Sequence, residues 1–278
     1  MTGVHAPGLK LTTGEALAAG HNLLLAHGRA VSVIRDRANK AASVGFAPVG
    51  WLRRPASEEP RDVDAARIAT FEVDSSTLWN SAWWLDPVYL GSYPKQGIEA
   101  YGKDAPKFTD EDMSVISQEL DFFGVNIYTA ATVKAGADGR PELVQNPIGY
   151  RMNSYDWAIT PDALYWGGKF FYERYKKPLV ITENGTCVTE CVSKDGRVRD
   201  PQRTEFIIDH LEQVDRAIAD GIPYIGYFYW SLMDNFEWNQ GYKHRFGLVH
   251  VDFETGKRTV KDSGVYFSEA ARRALAGD

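Results

Sequence analysis

Little in this sequence suggests covalent or metal cross-linking. Only two cysteines occur, Cys187 and Cys191. A lone C-x3-C spacing without a nearby histidine makes a poor metal site, so two free thiols in a reducing compartment are expected, with no metal and no cofactor. No apolar run reaches membrane-spanning length, and the amino-terminal residues show neither a basic leader nor a signal-like apolar stretch. The expectation is a soluble cytoplasmic protein without membrane contact. Asn184-Gly185-Thr186 has the form of a glycosylation sequon, which reads as coincidence without a secretory signal. A basic stripe is also missing. The 31 Lys and Arg are scattered among 37 Asp and Glu, for a net charge of −6. Nucleic-acid binding needs a concentrated positive face and is set aside. There is no internal repeat, low-complexity tract or linker, so residues 1–278 read as a single domain.

Aromatic residues are plentiful, with eight Trp and fourteen Tyr among 278 residues. Many lie in segments that look like loops. Half-exposed rings offer flat faces suited to planar or sugar ligands, and the plainer reading is packing at the core and its rim. Between them, apolar runs alternate with helical patterns. Thr12 to Arg37 reads as a capped amphipathic helix, with Thr12 or Thr13 as cap and Glu15 following. Val44 to Val49 reads as a short buried strand, and a helical stretch runs from Val63 through the Trp-rich segment to Leu90. Asp121 to Tyr128 and Pro178 to Thr182 read as strands, with a helix over 161–175 between them. A helix over 201–220 ends at Gly221, Ile222 to Trp230 forms a fourth strand, and a last helix covers Lys261 to Leu275.

Wholly apolar strands separated by helices indicate a parallel sheet covered on both faces. In such sheets the site lies at the carboxyl ends of the strands. The polar residues of interest fall there: Asn126 and Tyr128 after one strand, Glu183 and Asn184 after the next, and Trp230, Asn235, Glu237 and Trp238 after the last. A carboxylate directly after an apolar strand, as in Ile181-Thr182-Glu183-Asn184-Gly185, is costly to bury unless something uses it. A helix cap or salt bridge would be the structural use. In Trp230-Ser231-Leu232-Met233-Asp234-Asn235-Phe236-Glu237-Trp238, two Trp rings flank two carboxylates and an amide, which suits a sugar's C–H faces and hydroxyls. A loop whose polar groups satisfy one another would look similar.

Taken together these segments resemble family 1 glycoside hydrolases. ITENG resembles that family's nucleophile motif, and WSLMDNFEWNQGY with the following RFGLVHVD resembles its sugar-binding loop. DFFGVNIY, GVHAPG and the stretch from Asp86-Pro87 to Tyr93-Pro94 also match, in the family's order and over essentially the whole chain. The resemblance implies a (β/α)8-barrel architecture of which only the C-terminal half, about four βα units, is present. It implies a retaining β-glucosidase in which Glu183 attacks the anomeric carbon, Tyr128 hydrogen-bonds Glu183 and Asn126 supports the catalytic end. Glu237 and Trp238 would take hydroxyls of the terminal sugar, Trp230 would stack beneath it, Phe246 would wall the pocket and Trp157 would meet the leaving group. For Trp157 and Phe246, packing and binding are both open. Glu237 disfavours a phosphorylated sugar by charge, which leaves a β-glucoside or small oligosaccharide as substrate, with β-galactoside or β-fucoside tolerated.

The departure from the family is as informative. Retaining hydrolysis uses two carboxyl groups roughly 5–5.5 Å apart. The family's acid/base Glu lies in an Asn-Glu-Pro motif, and no Asn-Glu-Pro occurs here; Glu58-Glu59-Pro60 has the wrong context. An open half-barrel exposes two sheet edges, so self-association or pairing with a complementary N-terminal half is expected. The alternative function is a catalytically impaired half-barrel that binds sugar or only assembles.

Overall fold

A computed structural model describes residues 3–276. In chain order the elements are α1 (Thr13–Arg37), β1 (Gly45–Phe46), β2 (Arg53–Pro55), α2 (Pro60–Phe71), α3 (Ser81–Leu90), α4 (Lys95–Tyr101) and α5 (Asp110–Ile116). There follow β3 (Phe122–Asn126), β4 (Ala131–Ala135), β5 (Pro141–Val144), α6 (Ala163–Tyr175), β6 (Leu179–Asn184) and α7 (Pro201–Ala219). The chain closes with β7 (Tyr224–Tyr229), β8 (Val249–Val251), β9 (Arg258–Val260) and α8 (Asp262–Ala276). No helix among the described residues is long and apolar enough to cross a membrane.

The four strands expected from the sequence form one parallel sheet in the order β1-β3-β6-β7. Sequential order with helical crossovers is the pattern of consecutive βα units in a barrel wall. β1 is shorter than expected: after Phe46 the pairing resumes only as a single bridge between Val49 and Asn126. The sheet's hidden face carries Phe123, Val125, Leu179 and Ile181, packed against Phe170 and Phe171 of α6 and Trp83 of α3. Among the described residues, β1 and β7 each pair on one side only. Ile225 and Phe228 on β7 are largely exposed.

Three expectations are corrected. The helix from Val63 to Leu90 is two helices, α2 and α3. Asp74 takes the amide of Ser76, and the Asn80 side chain reaches the carbonyls of Asp74 and Thr77, so side chains capture the backbone that a continuous helix would have used. The count of four strands omits two small sheets, β2-β4-β5 and β8-β9. Their strands are only three to five residues long, too short for a periodic signal to register, and they are inserted in the loops beyond the main strands. Finally, the strand expected to stop at Thr182 continues to Asn184, which places Glu183 inside β6.

α1 follows its sequence pattern closely. Thr12 and Glu15 form a reciprocal capping box, Arg35 and Arg37 occupy the last turn, and Leu17, Leu24 and Val31 face the core at seven-residue spacing. Cys187 is buried, Cys191 is exposed, and both are free thiols. Asn184 of the sequon is buried, with its amide nitrogen donating to Ile127 O and its oxygen accepting from Tyr227. Both ends of the side chain are therefore committed inside the fold.

Candidate active site

The carboxyl ends of β3, β6 and β7 converge on Glu183. The β3–β6 register runs Val125 to Ile181 and then Asn126 to Glu183, so Thr182 is an extra residue on β6. Such a bulge re-aims the side chains beside it. Thr182 Oγ1 donates to Asn126 Oδ1 at 2.6 Å, closing the irregularity. Gly185 then lets the chain turn under β7: a Cβ there would lie 1.9 Å from the carbonyl oxygen of Trp230. The Trp230 amide in turn donates to Asn184 O at 2.9 Å.

Tyr128 Oη donates a short hydrogen bond to Glu183 Oε2. Burial and the charges of Glu183 and Glu237 hold the phenol far above its ordinary value, so it remains a donor. Glu237 is buried, and its carboxyl is raised above the usual range, first by desolvation and then by the negative charge of Glu183. The charges of Glu183 and Glu237 thus act on each other, and among the described residues Tyr128 is the donor recorded on the Glu183 carboxylate, at Oε2. Trp157 leans on Tyr128 with ring centroids 5.4 Å apart, and the buried Phe246 closes behind both at 6.1–6.3 Å.

The structure therefore gathers Glu183, Tyr128, Asn126, Glu237, Trp157 and Phe246. Trp230 is joined through its backbone and half-buried. Trp238 stands apart, largely exposed, with its ring edge-on to His5 at 6.5 Å. Glu58 is tied to Arg216 on α7 at 2.7 Å and faces another cavity, so it offers no second carboxylate here.

Sequence reasoning missed two members. Tyr155 lies between Trp157 and His244, with ring centroids 4.6 and 4.4 Å away and the planes tilted by 35° and 36°. Desolvation first, and then the negative charge of Glu237, raise the Tyr155 phenol. The signal was present in Asn153-Ser154-Tyr155-Asp156-Trp157, where the aromatic two residues before Trp157 shares its hairpin. Nothing local in the sequence joins His244 to it.

The model of glycosyl hydrolase family 1 matches residues 1–274. This chain belongs to glycosyl hydrolase family 1. It is 39% identical over 271 residues to beta-glucosidase A of Thermotoga maritima, covering 97% of this chain and 59% of that protein. It is 40% identical over 277 residues to a beta-glucosidase of Agrobacterium sp., covering 97% and 58%. Among solved structures, the Thermotoga maritima beta-glucosidase in complex with glucoimidazole superposes with a TM-score of 0.82 at 39% identity, again over 97% of this chain and 59% of the other. The same enzyme in complex with deoxynojirimycin gives a TM-score of 0.82. The chain thus spans about three-fifths of the length of these family 1 relatives, and its four-stranded parallel wall is a part of their (β/α)8 barrel.

Proposed function

We propose that this chain is the nucleophile-bearing part of a retaining β-glucosidase. The observation that carries the reading is Glu183, held by Tyr128 at one oxygen, at the mouth of a parallel sheet. The other oxygen attacks the anomeric carbon as the C–O bond to the leaving group breaks, giving a glycosyl-enzyme that water then hydrolyses. Tyr128 stabilises the carboxylate before attack and again as it departs. Glu237 accepts sugar hydroxyls in charge-assisted hydrogen bonds, Trp230 and Phe246 line the sugar, and Trp157 with Tyr155 flanks the leaving group. Asn126 braces the bulge that aims Glu183.

The proton donor comes from elsewhere. No Asn-Glu-Pro occurs in the sequence. The one-sided β1 and β7 edges fit completion by a complementary half-barrel or, failing that, by a second copy. Beside β1 an apolar groove of about 600 Å³ is lined by Leu23, Val49, Trp51, Trp79 and Trp84. The stacked Trp51–Trp79 pair, 5.6 Å apart, stands exposed there. Groove and edge together match what a covering βα unit buries. The same gap favours a second reading, in which the uncompleted chain binds sugar or assembles with little turnover.

The test uses a 2-deoxy-2-fluoro-β-glucoside with a dinitrophenolate leaving group, which needs no proton to depart. Peptide mapping is expected to find the label on Glu183 and none in Glu183→Gln. A label on Glu237, or undiminished turnover by Glu183→Gln, overturns the assignment.

A further inference from the structure

Between the segment after β6 and the long loop after β7 lies a cluster of charged side chains removed from water. Arg203, at the start of α7, and Lys261, just before α8, are fully buried. Arg203 donates to Glu190 at 2.8 Å, to the carbonyls of Thr186 and Arg245, and to Asp200. Lys261 Nζ contacts Glu190 Oε1 and donates to Asp234 Oδ1 at 2.8 Å. Asp234 also takes Arg245 at 2.6 Å and the amides of Gly247 and Val251. Asp200 is held by the amide and hydroxyl of Ser263. Glu190, Asp200 and Asp234 supply three negative charges, and Arg203, Arg245 and Lys261 supply three positive ones.

The ligand atoms of Glu190, Asp234 and His250 all lie within 4.8 Å of one another, the spacing of a three-ligand metal site. Lys261 Nζ is ion-paired with both of those carboxylates and hydrogen-bonded to Asp234, and His250 Nδ1 stands 3.6 and 3.7 Å from them. An ammonium thus does the work of a bound cation. The cluster's position matters for the site. Thr186 and Glu190 belong to the segment that leaves Glu183, whereas Asp234, Arg245 and Gly247 bracket Glu237 and Phe246. Backbone approach is so close that a Cβ on Gly247 would meet the Asp234 nitrogen at 2.1 Å.

We propose that Lys261 is a positioning residue for the sugar site, an internal counter-ion that locks the Glu237 loop against the segment following the nucleophile. The proposal rests on Glu183 and Glu237 belonging to one site. Side chains of opposite charge in dry surroundings hold geometry well, and removing one leaves the others uncompensated. Lysine suits the place because its compact ammonium reaches two carboxylates from one point.

The test removes the ammonium from the full chain. Lys261→Ala leaves three carboxylates facing two guanidinium groups, so Tm is expected to fall by roughly 10 °C. Cys187, buried three residues before Glu190, should become reactive to a thiol reagent alongside the exposed Cys191. Deoxynojirimycin affinity should drop at least about tenfold, the usual consequence of losing roughly 1.4 kcal/mol. Zn²⁺ should restore Tm and affinity in Lys261→Ala, and do neither in the wild type or in Lys261→Ala/His250→Ala. If the single variant does not fold, Asp234→Asn/Lys261→Ala restores charge balance. It should recover Tm and still bind deoxynojirimycin weakly. Wild-type affinity in that double variant, or an unchanged Tm and a single reactive thiol in Lys261→Ala, overturns the proposal. A wild-type chain that ignores deoxynojirimycin sinks the sugar-site reading instead, while the Zn²⁺ rescue of Tm still judges the cluster.

Discussion

Glu237, the proposed acceptor of sugar hydroxyls, is a residue that costs the fold something. Its carboxyl is raised above 4.5 by burial and by the charge of Glu183. Below its ordinary range the group is neutral whether the chain is folded or not, and nothing is lost. As pH rises through that range the unfolded chain releases its proton first, and the folded state bears a growing penalty that is complete above the raised value. Glu237→Gln is therefore expected to melt higher than wild type near pH 7, with the difference shrinking to zero by about pH 4. Paired melting curves across that interval check it; a difference independent of pH would remove the Glu183–Glu237 repulsion as its cause. The same variant should lose sugar affinity, because an amide is a poorer acceptor than a carboxylate for a substrate hydroxyl.

At the scale of elements, the position of Glu183 depends on backbone approach more than on strand propensity. β6 is apolar up to Ile181, carries its extra residue at Thr182, and passes within contact distance of Trp230 at Gly185. Gly185→Ala would drive a methyl group into a carbonyl oxygen that the β7 loop cannot easily move. Overpacking of this kind costs about 1–3 kcal/mol. Because the strain falls on the turn beside the proposed nucleophile, labelling of Glu183 by the fluoro-glucoside should fall sharply as well. Thr12→Ala is the comparison. It removes the cap of α1 and costs about 1 kcal/mol, yet should leave labelling unchanged. Equal losses of labelling in the two variants would mean that global stability, not local geometry, governs the site.

At the largest scale the decisive feature is the pair of strands, β1 and β7, that are paired on one side only among the described residues. β7 presents Ile225 and Phe228 to solvent, and β1 borders the groove containing Trp51 and Trp79. Unpaired strand edges beside apolar surface associate. Light scattering of the purified chain is expected to give a dimer or larger species, with turnover confined to activated aryl glucosides. General acid catalysis contributes roughly 10²–10⁴-fold, so adding a polypeptide that supplies the missing strands and ends in Asn-Glu-Pro should raise the rate on ordinary glucosides by orders of magnitude. A monomer that hydrolyses cellobiose at an ordinary enzymatic rate would contradict both the association and the missing proton donor.

The sequence alone determined the four main strands, the helices over 12–37, 161–175, 201–220 and 261–275, and the strand ends that carry Glu183, Tyr128 and Glu237; it did not register the short α4 and α5. These features come from local causes: apolar runs of strand length, a capping box at Thr12 and Glu15, and polar residues placed directly after buried segments. Tertiary structure decided the rest. The break between α2 and α3 depends on Asn80 reaching back to carbonyls six and three residues away, a competition that apolar periodicity does not register. The ring contacts of Tyr155 with Trp157 and His244 join residues about 90 positions apart. The meeting of Glu190, Asp234, His250 and Lys261 joins four separate segments. Each of these charges looks unremarkable in the linear sequence, because burial and pairing arise only when the loops beyond β6 and β7 close on each other.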